Sequence, residues 1–108
     1  MEPEAGVSAI QMAAEAVSAM RLGRLDDATT ANVGLIEGGR EVNVVADSCT
    51  LAGECRSLYR DRADAQRQAM TVALEEAAAR FGGSVDVSWR EDYGPVLYQE
   101  SDPLVQGI

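Results

Sequence analysis

Gly38-Gly39 lies between two stretches that alternate in polarity, and each stretch is flanked by an apolar stripe at helical spacing. Few folds accept that arrangement, because the hairpin offers one face of two strands and both helices must bury their stripes against it. Before the hairpin, Ile10, Ala13, Ala14, Val17 and Met20 share one face of a helix over 8–22. Ser8-Ala-Ile-Gln11 fits a capping box at its start, and Gly23 is placed to end it. Arg24-Leu-Asp-Asp reads as a loop into a first strand over 29–37, where Ala31, Val33 and Leu35 share a face. Gly38-Gly39 makes a turn that tolerates positive φ, and 43–48 is a less regular link. A second strand over 49–58 places Cys49, Leu51, Gly53 and Cys55 on one face, with Thr50, Ala52, Glu54 and Arg56 on the other. Asp61 is positioned to cap a second helix over 61–81, whose stripe of Met70, Leu74, Ala77 and Phe81 closes at Gly82-Gly83. Val85, Val87 and Trp89 then alternate with Asp86, Ser88 and Arg90, a half-buried strand over 84–91 with Trp89 in the core. The tail from Tyr93 holds Pro95 and Pro103 and shows no periodicity.

The order α-β-β-α-β lacks one leading strand of a split β-α-β unit, so the expected fold class is α+β, a ferredoxin-like two-layer sandwich. Residues 1–7 are too short and acidic to supply that strand. Its slot lies between the 49–58 and 84–91 strands, which would otherwise stand about 10 Å apart with unpaired backbone groups. Each such buried group costs on the order of 1–3 kcal/mol. The two strands can close up, a segment such as Tyr93–Tyr98 can fold back, or another chain can fill the slot. Another chain is the favoured expectation, because open strand edges recruit partners.

A chain of 108 residues is one domain. Its net charge of −9 speaks against nucleic acid, which needs a basic patch. All nine basic residues are arginine, so Schiff-base and P-loop lysines are excluded, and Gly38-Gly39 sits in no phosphate-loop pattern. Histidine is absent, which removes the usual general base and the commonest zinc ligand. Cys49 and Cys55 fall about 20 Å apart along one strand, too far to bridge, and read as small buried apolar residues. Asp26, Asp27, Asp47 and Glu54 read as solvated surface acids. No apolar run approaches the roughly 18 residues of a membrane span. No signal peptide opens the sequence, which would favour the cytoplasm if residue 1 were the true start; the missing leading strand speaks against that start.

One block carries more than a fold: Leu-Gly-Arg-Leu-Asp-Asp from Leu22, then Thr-Thr-Ala-Asn-Val-Gly-Leu-Ile-Glu-Gly-Gly, Asn43-Val-Val and Gly53-Glu-Cys-Arg56. With Pro3-Glu4-Ala5-Gly6 ahead of the first helix, it resembles the lid, or dimerisation, domain of the zinc aminopeptidase and carboxypeptidase family. That family includes peptidase T, carboxypeptidase G and succinyl-diaminopimelate desuccinylase, and the peptidase-T-like branch is nearest. The resemblance implies a lid over 1–98, with 99–108 starting the return into a separate catalytic domain. That domain would hold zinc and hydrolyse the peptide; the stretch in hand would hold no cofactor. The resemblance also implies homodimers, and substrate binding by Asn43 and Arg56 through its carboxylate or carbonyl, which suits a guanidinium fork. On pattern alone, Asn43 is a turn residue and Arg56 a surface arginine paired with Glu54. Ala46 stands where the family usually has proline, which leaves the link after Asn43 less constrained. The alternative is a stand-alone ferredoxin-like module that binds a ligand or assembles subunits without catalysis. Zinc ligands encoded upstream would decide for the peptidase.

Overall fold

The computed structural model describes residues 7–92, 97–101 and 104–106, with side chains through Arg90. In chain order the elements are α1 (Ala9–Ala19), β1 (Gly23–Arg24), β2 (Thr29–Gly38), β3 (Ser48–Ser57), α2 (Arg60–Phe81), β4 (Ser84–Asp86), β5 (Trp89–Asp92), β6 (Leu97–Ser101) and β7 (Leu104–Gln106). Both helices lie on one face of an antiparallel sheet, the expected α+β sandwich of ferredoxin-like kind.

The core is built from small residues. Met12, Ala13 and Ala16 of α1 meet Leu74, Ala77 and Ala78 of α2 over Cys49 and Leu51 of β3. A second cluster joins Ala31, Cys55 and Met70, with Trp89 packed against it. The alanines let helix backbones approach the sheet closely, so bulk is concentrated in a few side chains. Met12 and Leu51 are fully buried, each a contribution of about 1.5–3 kcal/mol. Trp89 Nε1 donates to Thr71 Oγ1 at 2.9 Å, so the indole enters the core margin with its polar atom satisfied.

The element ends depart from expectation for local reasons. Ser8 caps α1 as expected, its Oγ accepting from Gln11 N at 3.2 Å. The helix stops at Ala19, short of the expected 22, with Met20 extended and packed against both clusters. Gly23 (φ 89°) therefore does not end the helix; with Arg24 it forms a short strand where a loop was expected. The N-cap of α2 is Tyr59, so Asp61 sits in the first turn, where its charge suits the helix dipole without capping. Gly82 (φ 74°) ends α2 in a left-handed cap, with Gly83 N donating to Ala78 O at 2.9 Å. The last expected strand divides into β4 and β5 around Val87-Ser88.

The face assignment of β2 also needs correcting. Val33 lies opposite Gly53 and Leu35 opposite Ala52, leaving Gly34 as an extra residue. Leu35 is thereby moved to the helix-free face, away from Ala31 and Val33, and Ile36 takes the register position opposite Leu51.

The slot beside β3 is filled from within the chain. β6 pairs with both β3 and β5, and β7 with both β3 and β4, all antiparallel. The favoured expectation of another chain in that slot is therefore overturned, because a tethered tail reaches the open edge first. The segment that folds back is Leu97–Ser101 followed by Leu104–Gln106. Tyr93–Val96 and Pro3-Glu4-Ala5-Gly6, which entered the sequence reading, lie outside the described residues.

Candidate functional site

The sheet face turned away from the helices carries Thr30, Glu54 and Arg56, and Arg56 lies near the end of β3. Its side chain is 52% exposed, and its Nε stands 3.6 Å from Glu54 Oε2. That is the surface pair expected from the pattern. Glu54 Oε2 is buried and accepts no hydrogen bond among the described residues.

Strand register extends the site beyond Arg56. Arg24 of β1 is opposite Thr30 of β2, and Thr30 is opposite Arg56 of β3. Two arginines thus flank one threonine in a row across the sheet, their Cα atoms about 10 Å apart. They line a concavity of about 270 Å³ with Asp27, Ala28 and Leu58. The β1–β2 turn fixes Arg24: Nη1 donates to Asp26 O at 3.2 Å and to Asp27 O at 3.5 Å. Leu25 N donates to Thr29 O at 3.0 Å and closes that turn. Sequence reasoning missed Arg24 and Thr30, because a two-residue strand has no periodicity to find.

Asn43 is elsewhere. The hairpin closes at Gly38 opposite Cys49, and Asn43 is exposed in the link beyond it. Arg56 is seven residues up β3 from Cys49, about 23 Å at strand rise. The two expected substrate contacts are therefore not brought together in one chain. The link is anchored at Ala46, which is buried and whose carbonyl accepts from Ala9 N at 2.9 Å.

The remaining candidates resolve into structural roles. Asp26 accepts from Ala28 N at 2.8 Å and lies 3.3 Å from Arg62 Nη1. That backbone bond, with the Arg62 charge behind it, holds its carboxyl below the usual carboxylate range. Cys49 and Cys55 are both free and buried. Burial pushes both thiols up, and for Cys55 burial and the nearby Glu54 charge take it to about 11. Such thiols are poor nucleophiles and poor ligands. Among the described residues, no three His, Cys, Asp or Glu side chains gather to hold a metal ion.

A second surface feature lies on the same outer edge of the sheet, beyond the end of β1. β1 pairs with β2 only at Thr30 and Ala31, so among the described residues β2 has no outer partner from Asn32 to Gly38. Beside that edge, Ala14, Val17 and Ser18 of α1 and Val33 to Ile36 line a groove of about 400 Å³. Leu35 is 66% exposed and Ile36 52%, unusual for large apolar residues on a strand.

Comparison with known proteins gives the family of the fold. Residues 1–81 match the family model described as a peptidase dimerisation domain. The chain is 45% identical over 106 residues to the protein named "Uncharacterized protein YqjE" of Bacillus subtilis (strain 168), covering 98% of this chain and 29% of that protein. Its fold is similar to the crystal structure of aminopeptidase PepT from Bacillus cereus ATCC 10987, with a TM-score of 0.74 and 35% identity. It is likewise similar to that of a tripeptidase (SAV1512) from Staphylococcus aureus subsp. aureus Mu50, with a TM-score of 0.73 and 34% identity. Each structural match covers 98% of this chain and 25% of the solved one, so the chain spans less than a third of the relatives it matches. By sequence model, sequence identity and fold together, it belongs to the peptidase dimerisation domain family.

Proposed function

We propose that this chain is the lid and pairing domain of a zinc-dependent aminopeptidase of the tripeptidase kind. In this reading the stretch forms the lid, a separate domain carries the catalysis, and the whole enzyme is a homodimer acting on short peptides. The observation that carries it is Arg56, an exposed guanidinium on the helix-free sheet face of a peptidase dimerisation domain. There it holds the carboxylate or carbonyl of a bound peptide by paired hydrogen bonds. The chain has no histidine, and its two cysteines are buried and far apart, so its residues do not fit zinc. Zinc is assigned to the separate domain, and no step of hydrolysis to this one.

Pairing is assigned to the open edge of β2. A second copy laid antiparallel along that edge around a twofold axis would satisfy its backbone and cover Leu35 and Ile36. The same geometry gives Asn43 a role. A tripeptide spans about 10 Å, so Asn43 and Arg56 of one chain do not meet on it. Across a dimer, Asn43 of one subunit can serve a peptide held by the partner's Arg56. The test is an assay of the whole protein on tripeptides. Hydrolysis lost to a chelator and restored by zinc is expected, with none from residues 1–108 alone. No turnover of any peptide, or turnover by this stretch alone, would overturn the reading.

A further inference from the structure

We propose that Arg24 is a second anion-binding residue, which with Thr30 and Arg56 forms one subsite for the C-terminal carboxylate of the peptide. The proposal rests on the tripeptidase reading above and adds to it a residue and a specificity. Two independent observations place the three groups together. Register aligns Arg24, Thr30 and Arg56 in a single row on the helix-free face. The same three side chains line one concavity of about 270 Å³. Its size suits a terminal carboxylate with part of its residue, not a whole drug-sized ligand.

The chemistry is that of an anion clamp. A guanidinium carries five N–H donors in a planar fork. Arg24 uses Nη1 to donate to the carbonyls of Asp26 and Asp27, which hold the side chain in place. Arg56 has Glu54 at 3.6 Å from Nε and a side chain 52% exposed, so its guanidinium faces the concavity from the solvent side. The Thr30 hydroxyl, between them in the row, supplies a neutral donor. Asp27 also lines the concavity, but its carboxylate lies 3.4 Å from Arg62 Nη1 on the neighbouring helix. In a chain of net charge −9, two aligned arginines form a local exception. They would favour a free-acid peptide over its uncharged amide, which has no charge for the second arginine to meet.

The experiment compares the whole protein with its Arg24→Gln and Arg56→Gln variants on a tripeptide and on the same tripeptide as its C-terminal amide. The wild type is expected to prefer the free acid at least tenfold in kcat/KM. Each variant should lose most of that preference, with KM for the free acid rising at least tenfold more than KM for the amide. If Arg24→Gln lowers both substrates together and keeps the ratio, Arg24 only supports the turn and the proposal fails, while the Arg56 reading stands. If neither variant changes the ratio, both assignments fail. If neither peptide is hydrolysed, the peptidase reading fails, and the subsite is judged by titrating inorganic phosphate against the arginine Nε–H resonances. Arg24 and Arg56 shifting along one saturation curve would sustain it; a motionless Arg24 resonance would end it.

Discussion

Arg56 and Cys55 are neighbours in β3 and face opposite ways, which separates what they do. The Arg56 side chain is half in solvent, so removing it touches little packing. Arg56→Ala in the whole protein is expected to cut kcat/KM strongly while moving unfolding by less than about 1 kcal/mol. Steady-state kinetics beside urea unfolding checks both halves; unchanged kinetics would remove the substrate role. Cys55 is 0% exposed, its thiol donating to Ala63 O at 3.9 Å. Its folded pKa of about 11 lies above the ordinary thiol value, so the neutral form is the one the fold stabilises. That stability is complete below about pH 8.5 and is lost as pH rises through 11. Urea midpoints measured from pH 7 to 11 should fall on the alkaline side, less steeply in Cys55→Ala. These orientations were legible in the sequence, because period two along β3 is unbroken. The functional pairing of Asn43 with Arg56 was not, since thirteen residues close in sequence become a long separation once most of them are extended.

Among the elements, Gly38-Gly39 shows two glycines meeting different demands. Gly39 has φ 86°, the conformation the turn reading anticipated. Gly38 is needed for closeness: a Cβ there would lie 2.9 Å from Ser48 O and 3.1 Å from both Cβ and Sγ of Cys49. Gly38→Ala is therefore expected to destabilise by about 1–3 kcal/mol through a forced backbone shift, read as a lower urea midpoint. A midpoint equal to wild type would show that the hairpin end yields freely. Both helices and the hairpin were readable because their patterns are long. The irregularities were not: one extra residue at Gly34 reverses the face of Leu35, and nothing in an alternating string announces it. β1 is too short to carry a pattern, and it is the strand that supplies Arg24.

For the whole molecule, the sheet's inner gap and its outer edge have different solutions. The gap beside β3 is closed by β6 and β7, although the tail's sequence carries no strand signal. Tethering explains this, because closing a loop costs little beside the translational and rotational freedom lost by a separate partner. The outer edge of β2 has no such segment nearby among the described residues, and it exposes Leu35 and Ile36. A pairing domain needs one surface that stays open until its partner arrives, and this edge fits that need. Sedimentation equilibrium of the whole protein and of a Leu35→Asp, Ile36→Asp double variant, at micromolar concentration, tests this most directly. The account requires a dimer for the wild type and a folded monomer for the variant; a monomeric wild type, or a variant that remains a dimer, would contradict it.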